Sequence, residues 1–180
     1  IEELRTQGAD LFWIDTSTPA GTLAALRETG TDFVQAIIPS TDTELLEDAA
    51  AVSIETDCPP PPAVRAICEA ARQREQAIFA HLSLPDLSAA SVAALRETLE
   101  ALGDPHLIFS IDCADSGVSM TQAYRALTGA LFERAKQARI PLPPILLRGS
   151  FTAYEDALNE ASAGFGSLFL DGRGEALMIQ

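Results

Sequence analysis

The chain alternates short apolar runs with longer segments in which apolar residues recur every three or four positions. Short runs that are rich in β-branched and aromatic residues, and bounded by Gly, Pro, Asp or Ser, predict buried β-strands. Eight such runs occur, at residues 11–14, 33–38, 52–54, 78–82, 107–111, 145–147, 167–170 and 176–179.

The segments between these runs predict helices, because their apolar residues fall on one face at a period of 3.6. Ser88 or Ser91 is suited to cap the helix that is predicted over residues 90–102. The predicted helices cover residues 22–28, 44–49, 63–74, 90–102, 121–139 and 153–161, and another covers residues 1–7.

Strands that alternate with helices predict parallel pairing, because each crossover helix covers the sheet. Eight strands predict a barrel, although such barrels typically contain about 250 residues. The link at residues 171–175 is also shorter than the roughly 10–12 residues of a parallel crossover. We therefore predict one α/β domain over residues 1–180, with a reduced or distorted (β/α)8 TIM-like barrel. An open doubly wound parallel sheet is the alternative.

The last seventeen residues, GFGSLFLDGRGEALMIQ, predict a strand, a turn and a second strand. Gly172 and Gly174 bracket the turn, because glycine permits a positive φ and a close approach of the backbone. Asp171 would then follow a parallel strand, at the end of the sheet where α/β proteins bind ligands.

The charge balance excludes one class of partner. The chain has 12 basic and 26 acidic residues, a formal net charge of −14. Binding to nucleic acid requires a positive surface, so we expect no nucleic-acid partner. No apolar run approaches the roughly 18 residues of a membrane span, and the start resembles no signal peptide. We expect a cytoplasmic bacterial protein with no membrane partner, and the missing initiator methionine predicts a piece of a larger protein.

The three cysteines, Cys58, Cys68 and Cys113, form no CxxC pair. Their odd number argues against a disulfide framework and fits a reducing compartment. Their spacing gives no support to an iron–sulfur site.

Four polar residues at predicted strand ends are candidates for chemistry: Glu55, His81, Asp112 and Asp171. Carboxylates with one histidine can bind a divalent metal, which would indicate a metal-dependent lyase, aldolase or isomerase. The alternative is that strand-end residues meet water and turns, and that His81 is a hydrogen-bonded residue of its strand. No HExxH, GxSxG or P-loop motif supports the enzymatic interpretation.

The closing residues, Gly166 to Ile179 (GSLFLDGRGEALMI), resemble a phrase from one enzyme family. The family is 4-hydroxy-3-methylbut-2-enyl diphosphate synthase, the iron–sulfur oxidoreductase of the non-mevalonate pathway of isoprenoid biosynthesis. The phrase lies near the end of an extra domain in its large form. Residues 144–148 (PILLR) and 156–163 also resemble that domain, whereas the first 100 residues match only in overall pattern.

The resemblance implies a structural insert domain, itself barrel-like, that positions the cluster domain over the catalytic barrel. That enzyme converts 2-C-methyl-D-erythritol 2,4-cyclodiphosphate to 4-hydroxy-3-methylbut-2-enyl diphosphate. Neither the family's cluster cysteines nor its diphosphate-binding basic residues have a counterpart here, and Arg173 replaces an apolar residue of the phrase. The resemblance therefore implies no catalytic, cofactor-binding or metal-binding residue in this chain.

The expected [4Fe–4S] cluster belongs to the C-terminal domain of the parent enzyme. The implied partners are the catalytic barrel and the iron–sulfur domain of the same polypeptide, with a reductant protein as a further partner. Two alternatives stay open: an independent metal-dependent lyase or isomerase that uses Asp112, Asp171, His81 and Glu55, and an acidic docking module for a redox partner.

Overall fold

A computed structural model describes residues 12–14, 20–30, 32–37, 49–102, 107–112, 117–149, 151 and 154–179. The chain divides into two compact units, one formed by Ile1–Glu55 and Pro62–Phe79 and the other by Thr56–Pro61 and Ala80–Gln180. The predicted helix over residues 1–7 lies outside the described residues. Of the predicted helix over residues 44–49 only Ala49 is described, and it is not helical.

Strands and helices alternate along the described residues. The helices are α1 (Ala20–Thr29), α2 (Pro62–Gln73), α3 (Ala89–Leu102), α4 (Met120–Ala138) and α5 (Tyr154–Leu170). The strands are β1 (Phe12–Ile14), β2 (Phe33–Ile37), β3 (Ala51–Asp57), β4 (Ala77–Ser83), β5 (Leu107–Asp112), β6 (Leu146–Gly149) and β7 (Ala176–Ile179).

The strands follow one another across the sheet in chain order. The first five form a sheet in the order β1-β2-β3-β4-β5, and β6 pairs with β7. A parallel bridge between Phe109 and Ile145 connects β5 to β6, and the β1–β2, β2–β3 and β6–β7 pairs are parallel. A doubly wound sheet reverses its strand order, whereas a (β/α) barrel does not. The predicted α/β fold with a parallel sheet is confirmed, and it matches a partial or distorted barrel.

The predicted strand at residues 167–170 is wrong, because this segment is the last turn of α5. Ala161, Phe165 and Leu168 are buried at spacings of four and three, a helical period. The helix ends in a Schellman motif, in which Arg173 N donates to Leu168 O and Gly172 N to Phe169 O. Gly172 is the left-handed residue of that motif, with a φ of 69°. A full helix therefore connects β6 to β7, which removes the objection of a short link.

Side-chain caps fix the starts of two helices. Ser88 Oγ accepts a hydrogen bond from Ser91 N at 3.3 Å just before α3, so the predicted serine cap is confirmed at Ser88. Ser119 and Gln122 form a reciprocal capping box at the start of α4. These caps satisfy backbone amides that the first turn of a helix leaves unpaired.

Each unit has its own apolar core. In the first, Ile14, Leu26, Phe33 and Ala49 form a buried cluster. In the second, one face of β5 and β6 packs against the buried stripes of α4 and α5. The largest of these side chains that are fully buried are Tyr124, Phe109 and Phe165.

Tyr124 of α4 fills a gap between β5 and β6. Before this gap, Phe109 N of β5 donates to Pro144 O. Alternate residues of a strand direct their backbone groups to the same edge, so Leu146 O and Arg148 N face β5 as Pro144 O does. The Tyr124 hydroxyl donates to Leu146 O at 3.0 Å and accepts from Arg148 N at 2.6 Å. A helix side chain therefore satisfies backbone groups that a continued β5–β6 ladder would have paired.

Candidate functional site

The strands of the second unit have two different faces. A Cβ atom on Gly149 would lie 3.0 Å from Phe165 of α5. Leu147 of β6, and Ile145 just before that strand, therefore also face the helices. Because Ile145 bridges Phe109, the helix-facing residues of β5 are Leu107, Phe109 and Ile111. The opposite face of β5 carries Ser110 and Asp112, and it is the polar face on which a site would lie.

His81 and Ser110 form a hydrogen-bonded pair on this polar face. His81 Nδ1 bonds the Ser110 hydroxyl across β4 and β5, and the two residues are only 4% and 1% exposed. A catalytic histidine needs a substrate atom within hydrogen-bond reach, and this burial keeps substrate away from the pair. The structure matches the predicted hydrogen-bonded strand histidine, and the arrangement serves to fix β4 against β5.

The carboxyl ends of β4 and β5 carry exposed polar side chains. Ser83 ends β4, Asp112 ends β5, and both are exposed. Leu84 N donates to Asp112 O at 3.1 Å, which ties the residue after β4 to the end of β5. Arg148, in the neighbouring β6, is half-buried. This edge therefore combines a carboxylate, a hydroxyl and a guanidinium on three consecutive strands.

Cys58, just after β3, lies in a half-buried position of the second unit. Burial raises the pKa of its thiol, a hydrogen bond with Thr98 of α3 opposes that rise, and the Asp57 carboxylate adds to it. A thiol with a raised pKa is a weak nucleophile at neutral pH. The half-buried position and the raised pKa of Cys58 are typical of a packed cysteine.

The structure does not gather the four predicted site residues at strand ends. Asp171 follows helix α5 and precedes β7, so it lies at the amino end of that strand, opposite to the end where Asp112 lies in β5. Its carboxylate accepts two hydrogen bonds from Arg125, at 2.7 and 3.2 Å. Glu55 is an exposed residue inside β3, which continues to Asp57, and it belongs to the first unit. The misassigned strand at residues 167–170 caused the error for Asp171.

No group of three or more His, Cys, Asp or Glu side chains that could hold a metal ion occurs within the described ranges. The sequence analysis did not predict that Ser110 pairs with His81. A single serine inside an apolar strand (LIFSID) and a single histidine inside the preceding strand (AIFAHLS) could have indicated this pair, because a buried polar side chain needs a partner.

Comparison with known proteins finds similarity to part of an enzyme. No protein-family model matches the chain. It is 34% identical over 89 residues to 4-hydroxy-3-methylbut-2-en-1-yl diphosphate synthase (flavodoxin) from Leptospira interrogans serogroup Icterohaemorrhagiae serovar copenhageni (strain Fiocruz L1-130). The match includes 49% of this chain and only 12% of that relative. The resemblance inferred from the closing residues is thereby supported in part.

A solved structure supports the fold. The chain resembles the N-terminal domain of a candidate aldolase from Bacteroides vulgatus, with a TM-score of 0.61 and 13% identity over 91% of this chain and 53% of that one. Inosine 5′-monophosphate dehydrogenase from Legionella pneumophila aligns at a TM-score of 0.46 and 11% identity, over 94% of this chain and 57% of that one. At 13% identity the likeness to the Bacteroides vulgatus domain concerns the fold alone.

None of the helices in the described part of the chain is both long and apolar enough to cross a membrane. Taken together, the strand order and the comparisons show an α/β protein with a parallel, barrel-like sheet, similar over half its length to a small part of a diphosphate synthase.

Proposed function

We propose that this chain is a structural domain inserted in a 4-hydroxy-3-methylbut-2-enyl diphosphate synthase. The observation that carries the proposal is the 34% identity over 89 residues to an enzyme of that name, of which the match spans 12%. A match to so small a part of a long enzyme is explained more simply by a structural domain than by the complete catalytic machinery. The barrel-like fold agrees with the insert that the closing residues resemble.

The proposed role is spatial. The resemblance implies that the short form of the enzyme is a dimer, in which the cluster domain of one subunit closes over the catalytic barrel of the other. An inserted second barrel takes the place of the partner subunit and sets the cluster domain over the catalytic barrel of its own chain. The [4Fe–4S] cluster and the substrate site then belong to other domains of the same cytoplasmic polypeptide. The electron donor, a flavodoxin by the name of the relative, is a partner of the whole enzyme.

The site geometry supports a structural role for the residues that an independent enzyme would use. His81 is committed to a buried hydrogen bond with Ser110, and Asp171 to an ion pair with Arg125. These two side chains stabilise packing between neighbouring elements. Among the described residues, neither of them belongs to a group of His, Cys, Asp or Glu side chains that could hold a metal ion together with Asp112. The metal-dependent lyase is therefore the weaker interpretation.

Substitutions in the full-length enzyme test the proposal. A residue that acts as general acid or base contributes about 10²–10⁴-fold to the rate. We expect Asp112→Asn, at an exposed position, to change kcat for the cyclodiphosphate by less than about threefold. His81→Gln serves as a second variant, whose expected effect is a lower melting temperature with kcat preserved. A hundredfold loss of kcat in Asp112→Asn, with the cluster intact, would refute a purely structural role.

A further inference from the structure

Helix α5 has two flanks beside its buried face, and among the described residues a helix covers only one of them. A Cβ atom on Gly164 would lie 3.5 Å from Met120 Sδ at the start of α4. Asp171, just after α5, pairs with Arg125 of α4 at 2.7 Å. At about 100° of rotation per residue, Gly164 and Asp171 fall on one flank, whereas Leu158 and Phe169 fall on the other.

The uncovered flank continues onto strand β7. Leu158 and Phe169 lie about three helical turns apart and are 55% and 45% exposed. Leu177 of β7 pairs in register with Leu147, whose side chain faces the helices beside Gly174, and it is 46% exposed. We call Leu158, Phe169 and Leu177 the α5–β7 surface. Across the described ranges β7 pairs with β6 and with no strand on its other edge.

The other helices of the second unit show what covers such a flank. Helix α3 packs against α4, and α4 against α5. One arginine–carboxylate pair connects each neighbouring pair: Arg96 to Glu133 at 2.9 Å, and Arg125 to Asp171 at 2.7 Å. The α5–β7 surface lies on the opposite flank of α5, at the position where the next helix of a barrel would extend this series of packed helices.

Charge decides between the candidate occupants. Glu155 is exposed and lies one turn before Leu158, on the same flank. The α5 sequence (YEDALNEASAGFGSLFL) contains no basic residue, and the chain as a whole carries a net charge of −14. A second copy of the chain would oppose acid to acid. A helix with lysine or arginine beside its apolar stripe would complement this flank.

We propose that the α5–β7 surface receives a helix and its adjoining strand from another part of the same polypeptide. The amphipathic helix packs its apolar stripe on Leu158, Phe169 and Leu177, with a basic residue opposite Glu155, and the strand pairs with the free edge of β7. This inference rests on the proposed function only in assuming a longer polypeptide. It identifies the face by which the domain is joined to the rest of that polypeptide.

Cysteine labelling tests the proposal. Leu158→Cys and Leu177→Cys are prepared in the 180-residue chain and in the full-length polypeptide, and the rate of maleimide modification at each site is measured by peptide mass spectrometry. Phe132→Cys is the matched control, because Phe132 is also an exposed apolar residue (61%) but lies on α4, outside the α5–β7 surface. We expect both surface cysteines to react about tenfold or more slowly in the full-length polypeptide, with the control unchanged.

Equal labelling rates in the two proteins would overturn the proposal. Protection that is already present in the 180-residue chain would also overturn it, in favour of a second copy where it grows with protein concentration and of another segment of this chain where it does not. The labelling does not depend on which reaction the polypeptide catalyses. Protection without diphosphate synthase activity would therefore refute the proposed function alone, and activity without protection would refute this inference alone.

Discussion

Gly174 lies so close to Leu147 that a Cβ atom on Gly174 would be 2.6 Å from Leu147 Cγ and 2.7 Å from its Cδ1. Its φ of 90° is also in a region that side chains other than glycine rarely adopt. The residue connects the end of α5 to β7, and Glu175 continues the connection by donating its backbone N–H to Ile145 O at 2.9 Å. Glycine is therefore required here both by conformation and by space.

A series of glycine-to-alanine variants separates these two requirements. We expect Gly174→Ala to lower the free energy of unfolding by about 2–4 kcal/mol, because backbone strain and overpacking of Leu147 add. Gly172→Ala, which has a positive φ but no atom within 4 Å of the added Cβ, should cost only about 1–2 kcal/mol. Urea denaturation followed by circular dichroism measures both.

Gly166→Ala is the control for this series. Gly166 lies inside α5 with open space around its Cβ position, so alanine should stabilise the protein by up to about 1 kcal/mol. If Gly174→Ala were no more destabilising than Gly172→Ala, the close contact with Leu147 would be refuted.

Tyr124→Phe tests the hydroxyl that fills the gap between β5 and β6. The variant keeps the buried ring but leaves Leu146 O and Arg148 N without the hydroxyl that bonds them. We expect the free energy of unfolding to fall by about 1–3 kcal/mol, the cost of leaving buried polar groups unsatisfied. Ser162→Ala, which removes an exposed hydroxyl from α5, should change it by less than about 0.5 kcal/mol. Equal effects of the two variants would contradict the role of Tyr124.

Asp86 gives a pH-dependent prediction. Hydrogen bonds from the Ser91 hydroxyl and from Ser88 lower the pKa of the Asp86 carboxyl, whose Oδ1 accepts at 2.5 Å from Ser91 Oγ and at 2.9 Å from Ser88 N. A carboxyl whose pKa is lower in the folded state stabilises the protein above its unfolded pKa, which is about 4. That stabilisation is lost as the pH falls through the folded-state pKa.

The urea midpoints of wild type and Asp86→Ala should therefore differ at pH 7 and converge as the pH falls below about 4. Ser91→Ala is the control. It removes the largest cause of the lowered pKa, so its own difference from Asp86→Ala should vary less with pH. A difference that is the same at pH 7 and pH 3 would show that the hydrogen bonds do not favour the charged carboxylate.

The sequence pattern predicted most of the sheet, because each strand is a short apolar run with clear boundaries. It failed at residues 167–170, where an apolar run between glycines fits a strand as well as the end of a buried helix. Only the buried positions of Phe165 and Leu168, one helical turn apart, distinguish the two. The same error placed Asp171 at a strand end. Pairing of His81 with Ser110 depends on the alignment of β4 with β5, which local sequence does not determine.

The central claim is that this domain is structural and that the chemistry belongs to the rest of the enzyme. The most direct test uses the purified 180-residue chain after anaerobic reconstitution with iron and sulfide. Its visible spectrum and its turnover of 2-C-methyl-D-erythritol 2,4-cyclodiphosphate with a flavodoxin reductant are then measured. We predict a folded, colourless and inactive protein. A bound iron–sulfur chromophore, or turnover by this chain alone, would contradict the claim.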